Sequence, residues 1–577
     1  MPRFSTSSAL ALCLVATLAA CSKTGGDQIA GPASVPAPAE TDSADSIVVT
    51  ATHAPDSALR RAREPSPPGI VAPPPPAMVV GNTGYAARMV SPIMEPRIPM
   101  PPPVGRDRFT TVSQNPFKVS MEEPVSTFSI DVDTASYAFV RASLNQNTLP
   151  QKAAVRSEEM VNYFPYDYLS PRTAAEPFAS NIAVFPSPWS ANRKLVRIGI
   201  KGYSIQRATR PRANLVFLID TSGSMQAANK LPLVQQSLGM LLDQLRPDDS
   251  VAIVTYAGSA GTALAPTPAS QKARIRAVID SLGAGGSTAG AEGIRQAYAL
   301  AERNLDPAGV NRVILATDGD FNVGITNQDE LKGFVERERG KGVFLSVLGF
   351  GMGNYNDALM QTLAQNGNGA AAYIDTIGEA RKTLVEEASS TLFPIAKDVK
   401  IQVEFNPATV AEYRLIGYET RMLNREDFNN DKVDAGDVGS GQTVTALYEI
   451  VPVGAPRTMD GRRYATPSPI AAGGGSEYGF VKIRYKLPKS DTSRLISAPI
   501  SRVSEFGRFA DAPRDARFAT GVAAFAELLR GGRYTGSMTY DDVLRVALEA
   551  RGDDAFGYRS EFIQMVRAAK LAPSLPG

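Results

Sequence analysis

Histidine and cysteine are almost absent from this sequence. Among its 577 residues there is one histidine, His53, and the two cysteines, Cys13 and Cys21, both lie near the N-terminus. A Ser-His-Asp or Cys-His catalytic site needs these residue types in the folded core, and so does a zinc site with His or Cys ligands. A disulfide framework needs more cysteines than these two. The sequence therefore excludes all three kinds of site from the chain after residue 113.

The sequence also lacks a strong net charge and, beyond residues 1–20, a long apolar run. Its 60 Lys and Arg residues and 58 Asp and Glu residues leave a net charge of +2, so no strong field favours nucleic acid or an acidic lipid surface. A membrane-spanning helix needs about 20 consecutive apolar residues. With 43% hydrophobic and 20% charged residues, the composition is that of a globular protein of about two to four domains.

Residues 1–20 have the pattern of a signal peptide. Arg3 supplies a positive charge, an apolar run follows, and the segment Leu18–Ala20 leads directly to Cys21. This pattern resembles the lipobox of bacterial lipoproteins, in which the cysteine thiol is lipidated. The resemblance implies that Cys21 anchors the chain in the bacterial cell envelope, and Ser22 after it favours the outer membrane, with the protein facing the periplasm. An ordinary signal peptide that contains a cysteine is the alternative.

Residues 21–113 are rich in proline, alanine, serine and glycine. Segments such as VAPPPPAMVV and RIPMPPPVG cannot bury enough apolar surface to fold, so we predict a disordered tether with polyproline II character. Within it, residues 45–51 read DSIVVTA. This segment resembles the TonB box, an extended peptide that binds TonB by adding a strand to a sheet edge. A short β-prone piece in a disordered tail is the alternative to a TonB contact.

Residues 114–577 carry the patterns of folded elements. Residues 213–392 alternate apolar strands, such as NLVFLID and RVILATDG, with amphipathic helices, which predicts an α/β, doubly wound (Rossmann-like), mostly parallel sheet. Residues 114–212 mix helices and strands, and residues 393–490 read as alternating strands. We expect these two segments to pair in one β-sandwich into which the α/β domain is inserted. Residues 491–577 are predicted to be helical.

Three segments place oxygen-bearing side chains where a predicted strand ends or a helix begins. Asp220, Ser222 and Ser224 follow the first strand of the α/β region, Thr288 follows a glycine-rich loop, and Asp318 ends another strand. Ligands of open α/β sheets bind beyond the carboxyl ends of the strands, so we expect these five side chains to converge. Hydroxyl and carboxylate oxygens suit a hard cation. Mg²⁺ is the expected ion, with Mn²⁺ or Ca²⁺ as alternatives.

The D-T-S-G-S segment at residues 220–224, together with Thr288 and Asp318, resembles the metal-ion-dependent adhesion site (MIDAS) of von Willebrand factor type A (VWA) domains. In that family a carboxylate from a partner protein completes the metal shell. The resemblance therefore implies metal-dependent protein binding without catalysis. Flanking segments such as VNYFPYDY and RFATGVAAFAELLRGGRYTG resemble bacterial VWA lipoproteins of the YfbK type. This likeness extends over nearly the whole chain after Asn115.

Two further functions stay open on the sequence alone. A Mg²⁺-dependent hydrolase would use a metal-bound water, but the sequence offers no general base beside the five ligands. A scaffold subunit of an envelope assembly would use the domain for metal-independent association. The D-x-S-x-S segment by itself also fits a helix-capping turn, so the metal hypothesis depends on all three segments together.

Two other acid-rich segments imitate metal sites. Residues 131–136, DVDTAS, imitate the metal motif with Asp131, Asp133 and Ser136, but without partner threonine and aspartate residues we expect a strand end and a helix cap. Residues 427–434, DFNNDKVD, begin like an EF-hand loop. That segment lacks the glycine and the final glutamate of a calcium loop, so we expect a polar surface loop.

Overall fold

The computed structural model describes residues 109–130, 133–287, 290–319, 328–352, 355–460 and 475–572. Several sequence-based predictions lie outside these residues: the signal peptide with Cys21, the tether up to residue 108 with its segment 45–51, Asp131 and Thr288. Within the described residues, no helix has both the length and the apolar character needed to cross a bilayer.

The described residues form β-strands and α-helices, which are numbered in chain order. The strands β1 to β17 span Lys118–Val119, Val125–Ser129, Phe178–Pro186, Lys194–Gly202, Ala213–Asp220, Ser250–Tyr256, Ala260–Pro268, Val310–Thr317, Val343–Phe350, Ala371–Ile374, Pro394–Phe405, Val410–Ile416, Met422–Leu423, Gly436–Gly439, Thr443–Pro452, Glu477–Lys486 and Ser493–Ser501. The helices α1 to α12 span Ala135–Asn145, Ser157–Asn162, Leu231–Gln244, Lys272–Asp280, Gly290–Arg303, Gln328–Gly340, Asp357–Asn366, Ile377–Arg381, Ala388–Leu392, Arg514–Leu529, Tyr540–Glu549 and Tyr558–Leu571.

A six-stranded sheet forms the centre of the α/β domain, in the order β10-β9-β8-β5-β6-β7. All neighbouring strands are parallel except β6 and β7. Every residue of β5 and β8 is buried, because α3 and α4 pack on one face of the sheet and α5, α6 and α7 on the other. The doubly wound fold predicted for this part of the chain is therefore confirmed.

Two further sheets form the β-sandwich, and each combines strands from both sides of the α/β domain. One sheet has the order β1-β12-β15-β4-β3 and the other the order β13-β2-β11-β16-β17. In the first sheet β4 pairs antiparallel with β15, so that Lys201 lies opposite Thr443. The inner faces of both sheets share one apolar core. The α/β domain is therefore inserted into the sandwich between β4 and β11, as predicted.

The end of the sandwich differs from the sequence prediction, which set it at residue 490. β17 pairs antiparallel along β16 and extends the sheet to Ser501, and the first helix of the C-terminal region begins only at Arg514. β17 is an edge strand with mostly exposed or half-buried side chains, so its sequence lacks the clear alternation of the inner strands. Its Pro499 is tolerated because an edge strand leaves some amide positions unpaired.

Buried ion pairs join the α/β domain to the flanking helices. Arg141 of α1 pairs with Asp375 and Glu379, which follow β10, and with Glu561 of α12. These carboxylates come from two different parts of the structure, so one guanidinium group fixes α8 relative to the C-terminal helices. Residues 96–577 accordingly belong to one structural unit.

Candidate metal centre

Asp220 is the last residue of β5 and has 0% of its surface exposed. One carboxylate oxygen accepts the backbone N–H of Ser222 at 2.9 Å, and the other accepts the hydroxyls of Tyr256 and Thr317, each at 3.3 Å. Tyr256 and Thr317 end the neighbouring strands β6 and β8, so the parallel register brings them to the same edge. Burial raises the pKa of Asp220, the hydrogen bonds from Ser222 oppose that shift, and the charge of Asp318 adds to it.

Ser222 and Ser224 lie in the turn that follows β5, with their hydroxyl oxygens 3.0 Å apart. Ser222 is buried, whereas Ser224 is exposed. The turn is held against the glycine-rich loop at residues 283–287, because the N–H of Gly223 donates to the carbonyl oxygen of Gly286 at 3.1 Å. Gly286 has a φ of +85°, a conformation that favours glycine. The glycines of this loop therefore allow it to approach the serine turn closely.

Asp318 follows β8 directly and is 1% exposed. Lys230, which precedes α3, places its ammonium nitrogen 2.8 Å from Oδ2 of Asp318. The stem of this lysine packs against Gly351, where an added Cβ would lie 2.5 Å from Cε of Lys230. Gly351 also has a φ of +75°, so both space and backbone conformation require glycine there. Lys230 is thus a buried cation built into the site.

Four of the five predicted ligands, Asp220, Ser222, Ser224 and Asp318, meet at this edge of the sheet, and the fifth, Thr288, lies outside the described residues. The donor set of hydroxyls and carboxylates fits a hard divalent cation. Asp220 forms no ion pair with a basic side chain of the described residues. Burying such a carboxylate is costly, so the site can accommodate further positive charge.

The assignment of a divalent metal ion to this edge of the sheet depends on hydroxyl oxygens as well as on carboxylates. The described residues contain no group of three or more His, Cys, Asp or Glu side chains that could hold a metal ion. Two carboxylates alone would leave most positions of a six-oxygen shell to water. The two serines, and the position of Thr288 directly after the 283–287 loop, are what distinguish this edge of the sheet from an ordinary acidic strand end.

A surface of three described loop segments beside the four side chains carries no charged residue of its own, and it borders Glu292 of α5, which accepts the N–H of Ala260 at 3.4 Å. It consists of residues 223–229 after β5, 257–259 after β6 and 283–287 before α5, and we call these three segments the rim. Their exposed side chains are small, or end in a hydroxyl or an amide. Any strong attraction of the described rim for an ionic group must therefore come from the centre of the site.

The sequence patterns do not predict three residues of the site: Lys230, Tyr256 and Thr317. Thr317 directly precedes Asp318, and Tyr256 ends the strand SVAIVTY, so their positions at strand ends were a usable signal. Lys230 gives a weaker signal, a single basic residue between the serine turn and α3. Its pairing depends on Gly351, which belongs to a distant strand end, and local sequence does not report that contact.

The two acid-rich segments that imitate metal sites, at residues 131–136 and 427–434, make hydrogen bonds or ion pairs with other parts of the protein. Asp133 accepts the N–H of Ala371 and pairs with Arg421, each at 2.9 Å. The predicted helix cap is wrong, because α1 begins without a side-chain cap. In the loop at residues 427–434, two backbone carbonyl oxygens accept hydrogen bonds from Lys400 at 2.9 and 2.5 Å. That loop therefore binds a lysine of the sandwich, which supports a structural role.

Three family models match successive parts of the chain. The model described as "von Willebrand factor" matches residues 103–197, and the model "von Willebrand factor type A domain" matches residues 214–387. The model "Uncharacterized protein YfbK, C-terminal" matches residues 390–571. The second match covers the inserted α/β domain, and the other two cover the regions that flank it.

Individual proteins are also similar to this chain. "Uncharacterized protein YfbK" of Escherichia coli (strain K12) is 44% identical over 473 residues, which cover 81% of this chain and 81% of that protein. Inter-alpha-trypsin inhibitor heavy chain H4 of Homo sapiens is 29% identical over 230 residues, which cover 37% of this chain and 24% of that protein. Among solved structures, a von Willebrand factor type A protein from Catenulispora acidiphila is 15% identical, with a TM-score of 0.38 and coverage of 72% of this chain and 99% of that one.

Proposed function

Because this chain belongs to the bacterial VWA proteins of the YfbK type, we propose that its α/β domain binds a protein partner through a divalent metal ion. VWA domains are a family of protein-interaction and adhesion domains. The observation that carries the proposal is the convergence of two buried carboxylates and two serine hydroxyls at the carboxyl edge of the sheet. That edge is where α/β folds bind their ligands.

Asp220, Ser222, Ser224, Thr288 and Asp318 would hold the ion, which we take to be Mg²⁺, with Mn²⁺ or Ca²⁺ as alternatives. When bound, such an ion supplies a position for an oxygen ligand from outside the chain. Three of the five residues are neutral, so the site would retain excess positive charge. Since the described rim is uncharged, an Asp or Glu side chain of the partner is the group expected to neutralise it.

Binding, rather than catalysis, is the activity that the surrounding residues favour. A hydrolase would need a general base near the metal. Tyr256 contacts Asp220, but burial raises the pKa of its phenol well above the usual value. Lys230 is held in an ion pair with Asp318. The phenol of Tyr256 is therefore not suited to accept a proton at neutral pH, and Lys230 is already engaged by Asp318, which makes a Mg²⁺-dependent hydrolase the weaker alternative.

The cellular setting is part of the proposal. Cys21 would carry the lipid, and residues 21–113 would hold the folded part at a distance from the outer membrane, on its periplasmic side. Replacing Cys21 with Ser should release the protein from membrane fractions. The segment 45–51 offers a contact with TonB, and deleting it should abolish any copurification of TonB with the full-length protein.

Metal-independent association in an envelope assembly is the alternative function, and Lys230 is the observation that favours it. Lys230 already neutralises the charge of Asp318, so the domain does not need a metal ion to balance that carboxylate. In this case the α/β domain would serve as a scaffold. Partners would then remain bound when divalent ions are removed.

Thermal unfolding of the full-length protein in detergent tests the metal site. We expect Mg²⁺, Mn²⁺ or Ca²⁺ to raise the unfolding temperature after EDTA treatment, because a ligand at a hundred times its Kd stabilises the folded state by about 2.7 kcal/mol. Ser222→Ala should lose this rise without removing a buried charge. Ser259→Ala, at an exposed rim position, is the matched control and should keep it. No rise in the wild-type protein would contradict the metal proposal.

Capture of partners from envelope extracts separates the two functions. The wild-type protein with Mg²⁺ should retain a partner that EDTA releases and that Ser222→Ala fails to bind. Replacing acidic residues of the captured partner with their amides should also release it. A partner that stays bound in EDTA, with metal-dependent stabilisation still present, would favour the scaffold.

A further inference from the structure

A cleft of about 700 Å³ lies between the α/β domain and the β-sandwich. On the α/β side it is lined by Arg312 of β8, Ser346 of β9 and Thr383, which follows α8. Asp437 of β14 lines it on the sandwich side. Arg312 is near the beginning of β8, whereas Asp318 follows the end of that strand, so the cleft is separate from the metal centre.

Arg312 lines this cleft without a charged partner. It is 3% exposed, and its Nη1 donates to the hydroxyl of Ser346 at 2.6 Å. Its Nε has no hydrogen-bond partner, and the side chain forms no ion pair with any carboxylate of the described residues. Among the described residues, Arg197 is the other buried arginine without a carboxylate partner, whereas each of the following pairs with a carboxylate: Arg141, Arg210, Arg414, Arg421 and Arg559.

The described surroundings of Arg312 offer its charge no carboxylate in an ion pair, although its guanidinium lies 5.5 Å from the ring centroid of Phe344. Burial lowers the pKa of Arg312 to about 10, with the charges of Asp437 and Tyr298 opposing that shift. Asp437 is the nearest acidic influence, but burial, with the charges of Asp434 and Asp398, raises its pKa to about 8. The charge of Arg312 opposes that shift, but within the described residues the two side chains form no ion pair. A buried cation in this state is destabilising unless another anion accompanies it.

Thr383 adds a second group without a partner to the cleft. Its side chain is 6% exposed, and its Oγ1 makes no hydrogen bond. It lies in the segment Lys382–Glu386, which is a π-helical turn. Such turns are frequent at functional sites. A buried hydroxyl without a partner normally has an explanation such as a bound water or ligand.

We propose that the cleft binds a small oxyanion, with the guanidinium of Arg312 and the hydroxyls of Ser346 and Thr383 as its recognition groups. Guanidinium and hydroxyl groups are donors suited to carboxylate and phosphate oxygens. The ligand class is thus a molecule that carries a phosphate or a carboxylate group. This site is additional to the proposed metal-dependent binding and does not depend on it.

Thermal unfolding of the full-length protein tests the proposal, with EDTA present so that the metal centre does not contribute. Sodium phosphate and sodium acetate are compared with sodium chloride at equal ionic strength. We expect phosphate or acetate to raise the unfolding temperature on the order of 5 °C at a hundred times its Kd. A response to phosphate alone assigns phosphate-bearing ligands, and a response to acetate alone assigns carboxylates. Equal unfolding temperatures in all three salts would overturn the proposal.

Arg312→Met should abolish the anion response while leaving the protein at least as stable in chloride, since it removes a buried charge that forms no ion pair with the described residues. Arg197→Met is the matched control. Arg197 is also buried with an Nε that lacks a partner, and its guanidinium lies 4.8 Å over the ring of Tyr168 as that of Arg312 lies 5.5 Å over the ring of Phe344, but Arg197 does not line the cleft. Its response should equal that of the wild type. Equal loss in both variants, or a retained response in Arg312→Met, would overturn the assignment.

Thr383→Val keeps the size of the side chain and the charge of the cleft, and it serves if Arg312→Met does not fold. We expect it to weaken anion affinity about tenfold by calorimetric titration, because one hydrogen bond to a charged ligand is lost. The unfolding temperature in chloride should stay the same or rise, since the hydroxyl has no partner in the protein. Unchanged anion affinity would place the anion away from Thr383 and contradict the proposed site.

Discussion

The ammonium group of Lys230 lies 2.8 Å from a carboxylate oxygen of Asp318, and both side chains are buried at the edge of the sheet where the candidate ligands meet. Lys230 therefore carries a fixed positive charge within the candidate metal centre. A divalent cation bound there would experience this charge as repulsion. Lys230 would at the same time increase the attraction of the loaded site for an acidic partner.

Lys230→Met is expected to bind Mg²⁺ at least about tenfold more tightly than the wild type. Removing one nearby positive charge should lower the electrostatic cost of metal binding by more than the 1.4 kcal/mol that corresponds to tenfold. Calorimetric titration of the metal-free protein measures the change. Lys272→Met, at an exposed position of α4, is the control. Weaker metal binding by Lys230→Met would show instead that the lysine orients Asp318.

Gly351→Ala is expected to destabilise the protein by about 1–3 kcal/mol and to displace Lys230. The φ of +75° is strained for alanine, and the new methyl would lie 2.5 Å from Cε of the lysine. Urea unfolding measures the loss. Gly340→Ala, where an added Cβ has no neighbour within 4 Å, is the control and should be neutral or stabilising. Equal effects of the two substitutions would mean that the Lys230 contact does not constrain this position.

The pH dependence of stability should depend on Glu158 of α2. This carboxyl is 3% exposed, and its Oε2 has no hydrogen-bond partner. Burial, with the charges of Glu419 and Glu159, raises the pKa of Glu158 from 4.5 to about 7. The folded state then holds the proton more tightly than the unfolded state does. Its contribution to stability is therefore present below about 4.5 and is lost as the pH rises to about 7.

Glu158→Gln should remove this part of the pH dependence, because the amide stays neutral at every pH. We expect the urea midpoint of the wild type to fall relative to that of the variant between pH 4.5 and pH 7. Glu330→Gln, at an exposed position of α6, should follow the wild type. Parallel profiles for the wild type and Glu158→Gln would show that Glu158 ionises in the folded state as it does in the unfolded one.

The buried ion pairs of Arg414 with Glu449 and Glu527 should contribute strongly to the stability of the junction between the sandwich and the C-terminal helices. Arg414 of β12 lies 3.1 Å from Glu527 of α10 and 3.4 Å from Glu449 of β15. Glu527→Ala would leave the buried guanidinium undercompensated and should cost about 3–5 kcal/mol in urea unfolding. Asp511→Ala breaks the exposed pair with Arg508 and should cost far less, because water screens an exposed ion pair. A similarly small loss for Glu527→Ala would mean that neighbouring groups compensate Arg414.

The α/β fold and the position of its ligand edge were predictable because their signals are local. A buried run that ends at Asp220, with serines two and four positions later, indicates both a strand and its terminal turn. Asp318 carries the same signal at the end of β8. Parallel strands place their carboxyl ends together, so local patterns were sufficient to bring these side chains to one edge.

Features that depend on distant contacts were not predictable in this way. The pairing of Lys230 with Asp318 requires a glycine at position 351, and nothing near Lys230 reports that requirement. Asp133 looked like a helix cap because its neighbours in sequence are polar. Its actual partners are Ala371 in the last strand of the inserted domain and Arg421 beyond that domain, and long-range pairing of this kind overrides local propensity.

The insertion between β4 and β11 also sets the order in which the chain folds. β2 pairs with β11 and β13, and one edge of β4 pairs with β15, so β2 and that edge of β4 lack partners until the chain beyond residue 394 has been made, while the other edge of β4 pairs with β3. The α/β domain takes all its strands from one continuous segment and can close first. Contacts between distant segments form slowly. The sandwich is therefore expected to assemble last, and strands exposed during that delay are the part of the molecule most open to aggregation.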